Sequence, residues 1–158
     1  MSARTSADTR VEMTQIVLPQ FANSLGNVFG GQVVSWIDVC AAVAAQRYAR
    51  RVTVTASIDA VHFIEPIRLG NVVVLFGQVN AVFRTSMECG VRVESEDPLT
   101  GERTHAVTAY ATFVALDSAG HPQALPPMPP ENAEERRRAQ EAQARRQARL
   151  ELRRARCQ

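Results

Sequence analysis

The sequence of 158 residues contains no lysine, so arginine supplies all 18 of its basic side chains. It has only three cysteines, which form neither a CxxC pair nor a ligand pattern for zinc. A chain this poor in cysteine needs no disulfide framework, and we expect it to work in the reducing cytoplasm and to bind no metal. The charged N-terminus is unlike a signal peptide, and the longest apolar run, Val39 to Ala45, is too short to span a bilayer.

The sequence also lacks the common signatures of several enzyme classes. It contains no GxSxG nucleophile elbow and no HExxH zinc motif. The complete glycine pattern of a P-loop or of a dinucleotide-binding fold is missing too. The three histidines are not spaced as metal ligands, and we expect them to be ordinary sheet or loop residues: His62, His105 and His121.

Composition indicates one globular domain followed by a charged tail. Hydrophobic residues make up 46% of the chain and charged residues 22%, which allows a sizeable core. The net charge of +2 is too small to imply binding to nucleic acid or to a membrane by itself. We predict a disordered N-terminus over residues 1–10, a folded domain over 11–118, a proline-rich linker over 119–130 and an arginine-rich helical tail over 131–158.

The tail over residues 131–158 holds nine arginines and five glutamates, a net charge of +4. We favour a solvated helix with ion pairs four residues apart, Glu134–Arg138 and Glu141–Arg145. The alternative is contact with RNA, DNA or anionic lipid. Because the tail has no aromatic residues for base stacking and only a weak apolar stripe, we expect neither a nucleic-acid nor a membrane partner.

The middle of the chain predicts one helix followed by long strands. From Gln32 to about Tyr48 the sequence is apolar on nearly all sides and contains a run of alanines, which predicts a buried helix. A strand or extended segment is expected before it, and alternating sequences after it predict strands at 52–59, 72–82, 87–94 and 104–116. The phase changes near Ala60–Val61, which suggests a bulge or bend there. The pattern indicates an α+β fold, with a curved antiparallel sheet wrapped around the helix.

Asp38 is the only formally charged residue between Glu12 and Arg47, and it falls in the middle of the predicted buried helix. A lone buried carboxylate is costly unless it is paired or hydrogen-bonded. One interpretation is structural, with Asp38 bonded to nearby backbone or to an arginine such as Arg47 or Arg51. The other is functional, and it depends on the glycines that precede the helix.

Gly30 and Gly31 open the predicted helix, which leaves its first N–H groups available to a ligand. Asp38 lies seven residues after Gly31, about two helical turns along on the same side. N–H groups at a helix start suit the oxyanion of acyl hydrolysis, and a carboxylate can activate water or attack directly. Asn23 is a candidate for positioning that water or polarising the carbonyl, with a plain turn residue as the alternative. Cys40 is expected to be a small core residue whose surroundings disfavour the thiolate.

Four segments resemble the hotdog-fold acyl-CoA thioesterases, in the branch that includes the bacterial short-chain and the brain and brown-fat acyl-CoA hydrolases. The first is Asn23-x-x-Gly26-Asn27-Val28-Phe29-Gly30-Gly31, followed by Asp38 seven residues on. The others are VTASID at 54–59, FIEPIRLG at 63–70 and FRTSM at 83–87. The resemblance covers about Glu12 to Leu116, and the tail lies outside it.

The resemblance implies an α+β hotdog fold and the hydrolysis of acyl-CoA thioesters to a free acid and CoA. It places the catalytic aspartate on Asp38, the catalytic asparagine on Asn23 and the oxyanion N–H groups on Gly30 and Gly31. It places contacts with CoA on two short segments, which are Thr55, Ala56 and Ser57, and Arg84, Thr85 and Ser86. Arg84 can pair with a CoA phosphate, whereas composition alone would favour a polar turn there.

The resemblance also implies a homo-oligomer and no separate cofactor, because CoA is part of the substrate and of the product. The minimal unit is expected to be a dimer with one continuous sheet and active sites between subunits, and the full assembly a trimer of dimers. A non-catalytic acyl-CoA binding module is the alternative, and the presence of both Asn23 and Asp38 speaks against it. A dehydratase acting on acyl-carrier protein is ranked last, because no histidine lies in the helix or its preceding loop.

Overall fold

The computed structural model describes residues 4–157, and five strands and two helices account for most of them. In chain order these are β1 (Val11–Ile16), α1 (Gly30–Ala49), β2 (Thr53–Ile58), β3 (Val72–Val82), β4 (Ser86–Glu96), β5 (Arg103–Ala115) and α2 (Ala133–Arg156). Two short 3₁₀ helices, Ala7–Thr9 and Pro19–Phe21, flank β1. The fold is the predicted α+β hotdog fold, so that prediction is confirmed.

The strands form one antiparallel sheet in the order β1-β3-β4-β5-β2. The two long hairpins, β3–β4 and β4–β5, make its centre, and the short strands β1 and β2 are its edges. Alternation in the long strands sorts their side chains, as predicted: Met87, Cys89 and Val91 of β4 are buried on the inner face. That face packs against α1.

Helix α1 lies close against the middle of β3. A methyl group built on Gly77 would be 2.8 Å from the Cys40 sulfur, so only glycine allows this approach. Ile37, Cys40 and Ala44 of the helix have no exposed surface and form the centre of the core. Burying these apolar side chains is the main source of stability for a fold of this kind, at about 25 cal/mol per Å² removed from water.

One side of α1 is uncovered in the single chain, which differs from the predicted burial on nearly all sides. Val39 is 50% exposed, and Ser35 and Gln46 are exposed as well. The reason is geometric, because a single sheet covers only one side of a helix. Val39 therefore leaves apolar surface on the uncovered side of the helix.

The irregularity predicted near Ala60–Val61 lies instead within β2. Pairing of β2 with β5 shifts between Thr55 and Ser57, which leaves Ala56 as an extra residue, and the strand ends at Ile58. The sequence alternation breaks at position 60 because the chain has already left the sheet there.

The N-terminus was predicted to be disordered, but residues 4–10 pack on the domain. Ser6 Oγ donates to Val79 O at 2.7 Å, and Thr9 Oγ1 accepts from Val79 N at 2.9 Å. Both polar side chains are buried, and these bonds satisfy them. Residues 1–3 of the predicted disordered segment lie outside the described residues.

The proline-rich segment is held against the domain rather than hanging free. Leu125 N donates to Arg84 O at 2.9 Å, and Tyr48 Oη donates to Pro126 O at 2.7 Å. Asn132 then caps α2 by accepting from Glu135 N at 2.9 Å. The linker therefore places the start of α2 at a fixed point on the protein.

Helix α2 lies on the outer face of the sheet, so the prediction of a solvated helix is wrong for one of its sides. Ala142 is fully buried, and Arg145 contacts Glu88 of β4 at 2.7 Å. The predicted pair Glu134–Arg138 is present at 2.6 Å, but Glu141 pairs with Arg137 instead of Arg145. Within residues 4–157, no helix is both long enough and apolar enough to cross a membrane.

Candidate active site

The start of α1 leaves two backbone donors without a partner. Gln32 N and Val33 N both donate to Phe29 O, at 3.0 and 3.3 Å. The N–H groups of Gly30 and Gly31 find no acceptor among residues 4–157. No side chain caps this helix, and the macrodipole adds partial positive charge at the same point. The helix start is therefore suited to a developing negative charge.

Asp38 lies two turns further along α1, where its carboxylate is partly buried and faces β2. Thr55 Oγ1 donates to Asp38 Oδ1 at 2.8 Å. Neither arginine named by the structural interpretation pairs with it: Arg47 donates to Arg10 O, and Arg51 Nε donates to Ala49 O at 3.3 Å. Asp38 is therefore held by a neutral hydroxyl from the edge strand, and it forms no ion pair within the described part of the chain.

Asn23 forms a turn in the loop before α1. Its Oδ1 accepts from Leu25 N at 2.9 Å and from Asn27 N at 3.2 Å. The turn interpretation thus describes what the carboxamide oxygen does in the single chain. The amide NH₂ has no partner within residues 4–157, so it remains available as a donor.

Backbone hydrogen bonds hold this loop and the start of α1 together. Phe29 N donates to Phe21 O at 2.9 Å, and Val28 N donates to Ile67 O at 2.7 Å. The Phe63 ring lies against Gly30, where an added methyl group would be 3.2 Å from the ring. The segment 63–70 of the resemblance therefore supports the helix start directly.

The two segments assigned to CoA lie on either side of the end of β5. Val114 pairs with Ser86 of β4 on one side and with Val54 of β2 on the other. The segment 55–57 forms the irregular part of β2, and Thr55 and Ala56 are exposed. The segment 84–86 forms the β3–β4 turn, closed by Phe83 N donating to Ser86 O at 2.7 Å. Arg84 is exposed there, and its positive charge faces solvent.

Cys40 is confirmed as a core residue rather than a nucleophile. It has no exposed surface, and burial raises the pKa of its thiol to about 11. The thiolate is the reactive form of cysteine, so this side chain stays inert at neutral pH. Among residues 4–157 no three His, Cys, Asp or Glu side chains are grouped as metal ligands.

A groove of about 670 Å³ lies elsewhere, between α2 and the outer face of the sheet. Its lining includes Phe76, Gln78, Tyr110 and Arg138, and none of the predicted site residues. The predicted site is open in one chain because the uncovered side of α1 forms part of it. The candidate site is therefore defined by the arrangement of Asp38, Thr55 and the start of α1, and it is not an enclosed cavity in the single chain.

Sequence reasoning missed two features of this arrangement. Thr55 was assigned to CoA through the resemblance, and its hydrogen bond to Asp38 had no signal in the spacing of the two residues. The burial of Glu88 under α2 had no sequence signal either, because it depends on the fold of the whole chain.

Comparison with known proteins identifies the family. The thioesterase superfamily model matches residues 25–102. The mouse acyl-coenzyme A thioesterase 11 is 41% identical over 90% of this chain and 24% of its own length. An uncharacterized acyl-CoA thioester hydrolase of Bacillus subtilis is 44% identical over 81% of this chain and 74% of its own. The chain belongs to the thioesterase superfamily, in its acyl-CoA thioesterase branch, and spans about a quarter of the length of the mouse relative.

Solved structures agree with this assignment. An apo hexameric acyl-CoA thioesterase superposes with a TM-score of 0.90 at 39% identity, covering 96% of this chain and 97% of its own. The Staphylococcus aureus acyl-CoA hydrolase, solved with butyryl-CoA and CoA, superposes with a TM-score of 0.85 at 30% identity, covering 96% and 95%. The latter protein has also been solved with an aspartate, an asparagine and a threonine each replaced by alanine.

Proposed function

We propose that this protein hydrolyses acyl-CoA thioesters to the free carboxylic acid and CoA, with Asp38 as the catalytic carboxylate. The observation that carries the proposal is the placement of Asp38 on α1, fixed by Thr55 at 2.8 Å, on the helix that presents the open N–H groups of Gly30 and Gly31. The branch of the superfamily to which the chain belongs supports the reaction class.

The proposed chemistry assigns one role to each group. Asp38 removes a proton from a water molecule, and the water oxygen attacks the thioester carbonyl carbon. The N–H groups of Gly30 and Gly31 stabilise the oxyanion that forms, and such donors are worth about 10²–10³ in rate. The carbonyl then re-forms, the C–S bond breaks, and Asp38 returns the proton to the departing sulfur, so that CoA leaves as the thiol. Asn23 orients the water or the carbonyl through its amide NH₂.

The Staphylococcus aureus variants support the choice of residues. Their asparagine, aspartate and threonine are separated by 15 and 17 residues, the spacings between Asn23, Asp38 and Thr55. Three residue types at two matching spacings are a far more specific agreement than any one of them. The agreement also favours a place for Thr55 in the catalytic machinery, beyond contact with CoA.

We propose that CoA lies along the end of β5, between the segments 55–57 and 84–86. The guanidinium of Arg84 would pair with a CoA phosphate, since arginine provides a rigid donor pair for phosphate oxygens. The hydroxyls and backbone of the same segments would bond the pantetheine amides. The thioester would then face the start of α1.

We further propose a dimer as the minimal unit and a trimer of dimers as the assembly. Strand β2 is an edge with free backbone groups, and Val39 of α1 and Val54 of β2 are 50% and 43% exposed. Pairing of two β2 strands would continue the sheet and cover both valines. In such a dimer Asn23 of one protomer would approach Asp38 of the other. The hexameric relative supports the assembly.

The proposed setting is the reducing cytoplasm, without metal or separate cofactor. Cys40, Cys89 and Cys157 are all free thiols, which supports this setting.

The test measures CoA release across acyl-CoAs from acetyl to palmitoyl, for the wild type, Asp38→Ala and the control Glu102→Ala. Glu102 is an exposed carboxylate in the β4–β5 connection. We expect Asp38→Ala to lose at least about 10²-fold in kcat and Glu102→Ala to match the wild type. Normal turnover by a folded Asp38→Ala protein would overturn the mechanism. Tight binding of acyl-CoA without turnover by the wild type would favour a binding module instead.

A further inference from the structure

Arg149 of α2 lies between two carboxylates on the outer face of the sheet. Its Nη1 is 2.7 Å from Asp59 Oδ2 and 3.5 Å from Glu88 Oε2. Arg145, one turn earlier, bonds both oxygens of Glu88 at 2.7 and 3.0 Å, and its guanidinium lies 3.6 Å from the centre of the Tyr110 ring. Two arginines and two carboxylates make a charge-balanced cluster. The cluster fixes α2 to the sheet at this point.

The contact between Arg149 and Asp59 bears on β2. Asp59 directly follows the last residue of β2 and lies four residues after Thr55. Its own N–H donates to Tyr110 O at 2.9 Å, and Tyr110 is the residue on which Arg145 stacks. Helix α2 therefore contacts the Asp59 side chain through Arg149, and through Arg145 it contacts Tyr110, whose carbonyl oxygen accepts the hydrogen bond from Asp59 N.

Strand β2 has few other restraints within the chain. It is six residues long, its one strand partner among residues 4–157 is β5, and its register shifts between Thr55 and Ser57. Short, irregular edge strands open easily, because few hydrogen bonds must break. Thr55 lies at the irregular point, and its hydroxyl position depends on where the strand is held on either side.

We infer that Arg149 is a positioning residue for the reaction: through Asp59 it fixes the end of β2, and with it the Thr55 hydroxyl that orients Asp38. The inference rests on the proposed catalytic role of Asp38. Arg149 bonds neither Asp38 nor the segments proposed for CoA; of its two carboxylate partners, Glu88 lies on β4 and Asp59 follows β2, so its effect on Thr55 is exerted through Asp59. The arginine-rich helix, which lies outside the resemblance, thereby becomes part of the active-site support.

The first experiment compares Arg149→Gln with Arg153→Gln in the full-length oligomer. Arg153 is one turn further along α2 and exposed, so its substitution removes the same charge without the contact. We expect Arg149→Gln to lower kcat on the order of tenfold with a smaller change in KM, because small displacements of a catalytic group are costly. Arg153→Gln should match the wild type, and Arg149→Lys should recover part of kcat because it keeps a charge near Asp59.

The decisive measurement places Arg149→Gln in a Thr55→Val background. If Arg149 acts by positioning the Thr55 hydroxyl, Arg149→Gln should have almost no effect once Thr55→Val has removed that hydroxyl. We expect it to change the kcat of Thr55→Val by less than about twofold. An equal tenfold loss in both backgrounds would mean a general effect on folding, and would overturn the inference. So would wild-type kcat in the single variant Arg149→Gln.

Hydrogen exchange gives a readout that does not depend on activity. Amides of residues 54–59 should exchange faster in Arg149→Gln than in Arg153→Gln, while those of β4 stay unchanged. Equal exchange in the two variants would contradict the anchor. Failure of the proposed function is a separate result, because it would appear as retained turnover by Asp38→Ala whatever Arg149 does.

Discussion

At the scale of single residues, the site combines a charge with donors that are already in place. No arginine of residues 4–157 pairs with the Asp38 carboxylate, and Thr55 fixes one of its oxygens through a hydroxyl hydrogen bond. The donors at the start of α1 are the backbone N–H groups of Gly30 and Gly31, so no side chain is needed at these two positions to supply them. Asp38 and the glycines were predicted from the sequence because they share one helix, whereas the Thr55 contact joins two elements that only the fold brings together.

The two glycines at the start of α1 can be tested separately. A methyl group on Gly31 would meet nothing within 4 Å in the chain, whereas one on Gly30 would be 3.2 Å from the Phe63 ring. We expect Gly31→Ala to leave the unfolding temperature unchanged but to lower kcat/KM about tenfold, because its methyl group crowds the approach to the oxyanion donors. Full activity of Gly31→Ala would show that substrate does not approach this N–H closely.

The cysteines predict a distinct pattern of reactivity. Burial raises the pKa of Cys40 to about 11, and it also raises the pKa of Cys89, where the Glu88 charge adds to the effect. At pH 8 the Cys40 thiolate is therefore about one part in a thousand. We expect a thiol reagent to label only the exposed Cys157 in the native protein and all three cysteines in guanidinium. Rapid labelling of Cys40 in the native state would contradict its burial.

At the scale of elements, the long strands were predictable and the edges were not. Strand β3 was predicted with its observed bounds, and β4 and β5 were predicted to within two residues at each end, because all three are long strands with regular alternation. Strand β2 was predicted over 52–59 and lies at Thr53–Ile58, but its irregularity was predicted near Ala60–Val61 and lies at Ala56, because the sequence alternation continues through the extra residue. The exposed side of α1 could not be anticipated either, because the sequence does not distinguish an apolar residue that packs inside the chain from one that lies on its surface.

The uncovered side of α1 leads to a prediction about assembly. Replacing Val39 by glutamate would put a charge into the proposed interface, where burying it without a partner is costly. We expect Val39→Glu to reduce the molecular mass measured by light scattering and to lower activity with it. Leu99→Glu is the matched control, since Leu99 is 93% exposed in the β4–β5 hairpin and should not alter the mass. An unchanged mass for Val39→Glu would place the interface elsewhere.

At the scale of the whole molecule, α2 is an outer layer on the sheet. Its arginines were predicted to pair within the helix, because local spacing is all that a sequence shows. In the fold Arg145 pairs with Glu88, 57 residues away, and Arg149 pairs with Asp59, 90 residues away. Burial alone would lower the pKa of Arg145, but the hydrogen bonds and charge of Glu88 reverse this and raise it. For Arg145 the long-range pair replaces the predicted local pair with Glu141, whereas Arg149 has no acidic residue three or four positions away on α2.

The buried carboxylate under α2 makes a prediction about stability. Glu88 has no exposed surface and bonds Arg145, Arg149 and Asn80. Glu88→Gln keeps the size of the side chain but removes the negative charge that faces the guanidinium groups of Arg145 and Arg149. Breaking buried ion pairs of this kind lowers the free energy of unfolding by about 3–5 kcal/mol. The control Glu94→Gln breaks a partly exposed pair with Arg92 and should cost less than about 1 kcal/mol.

Denaturant unfolding at one fixed protein concentration compares the two variants with the wild type, because the stability of an oligomer varies with concentration. Equal midpoints for the two variants would mean that α2 is held by its apolar contacts, with Ala142 at their centre, and that the charge cluster adds little to them.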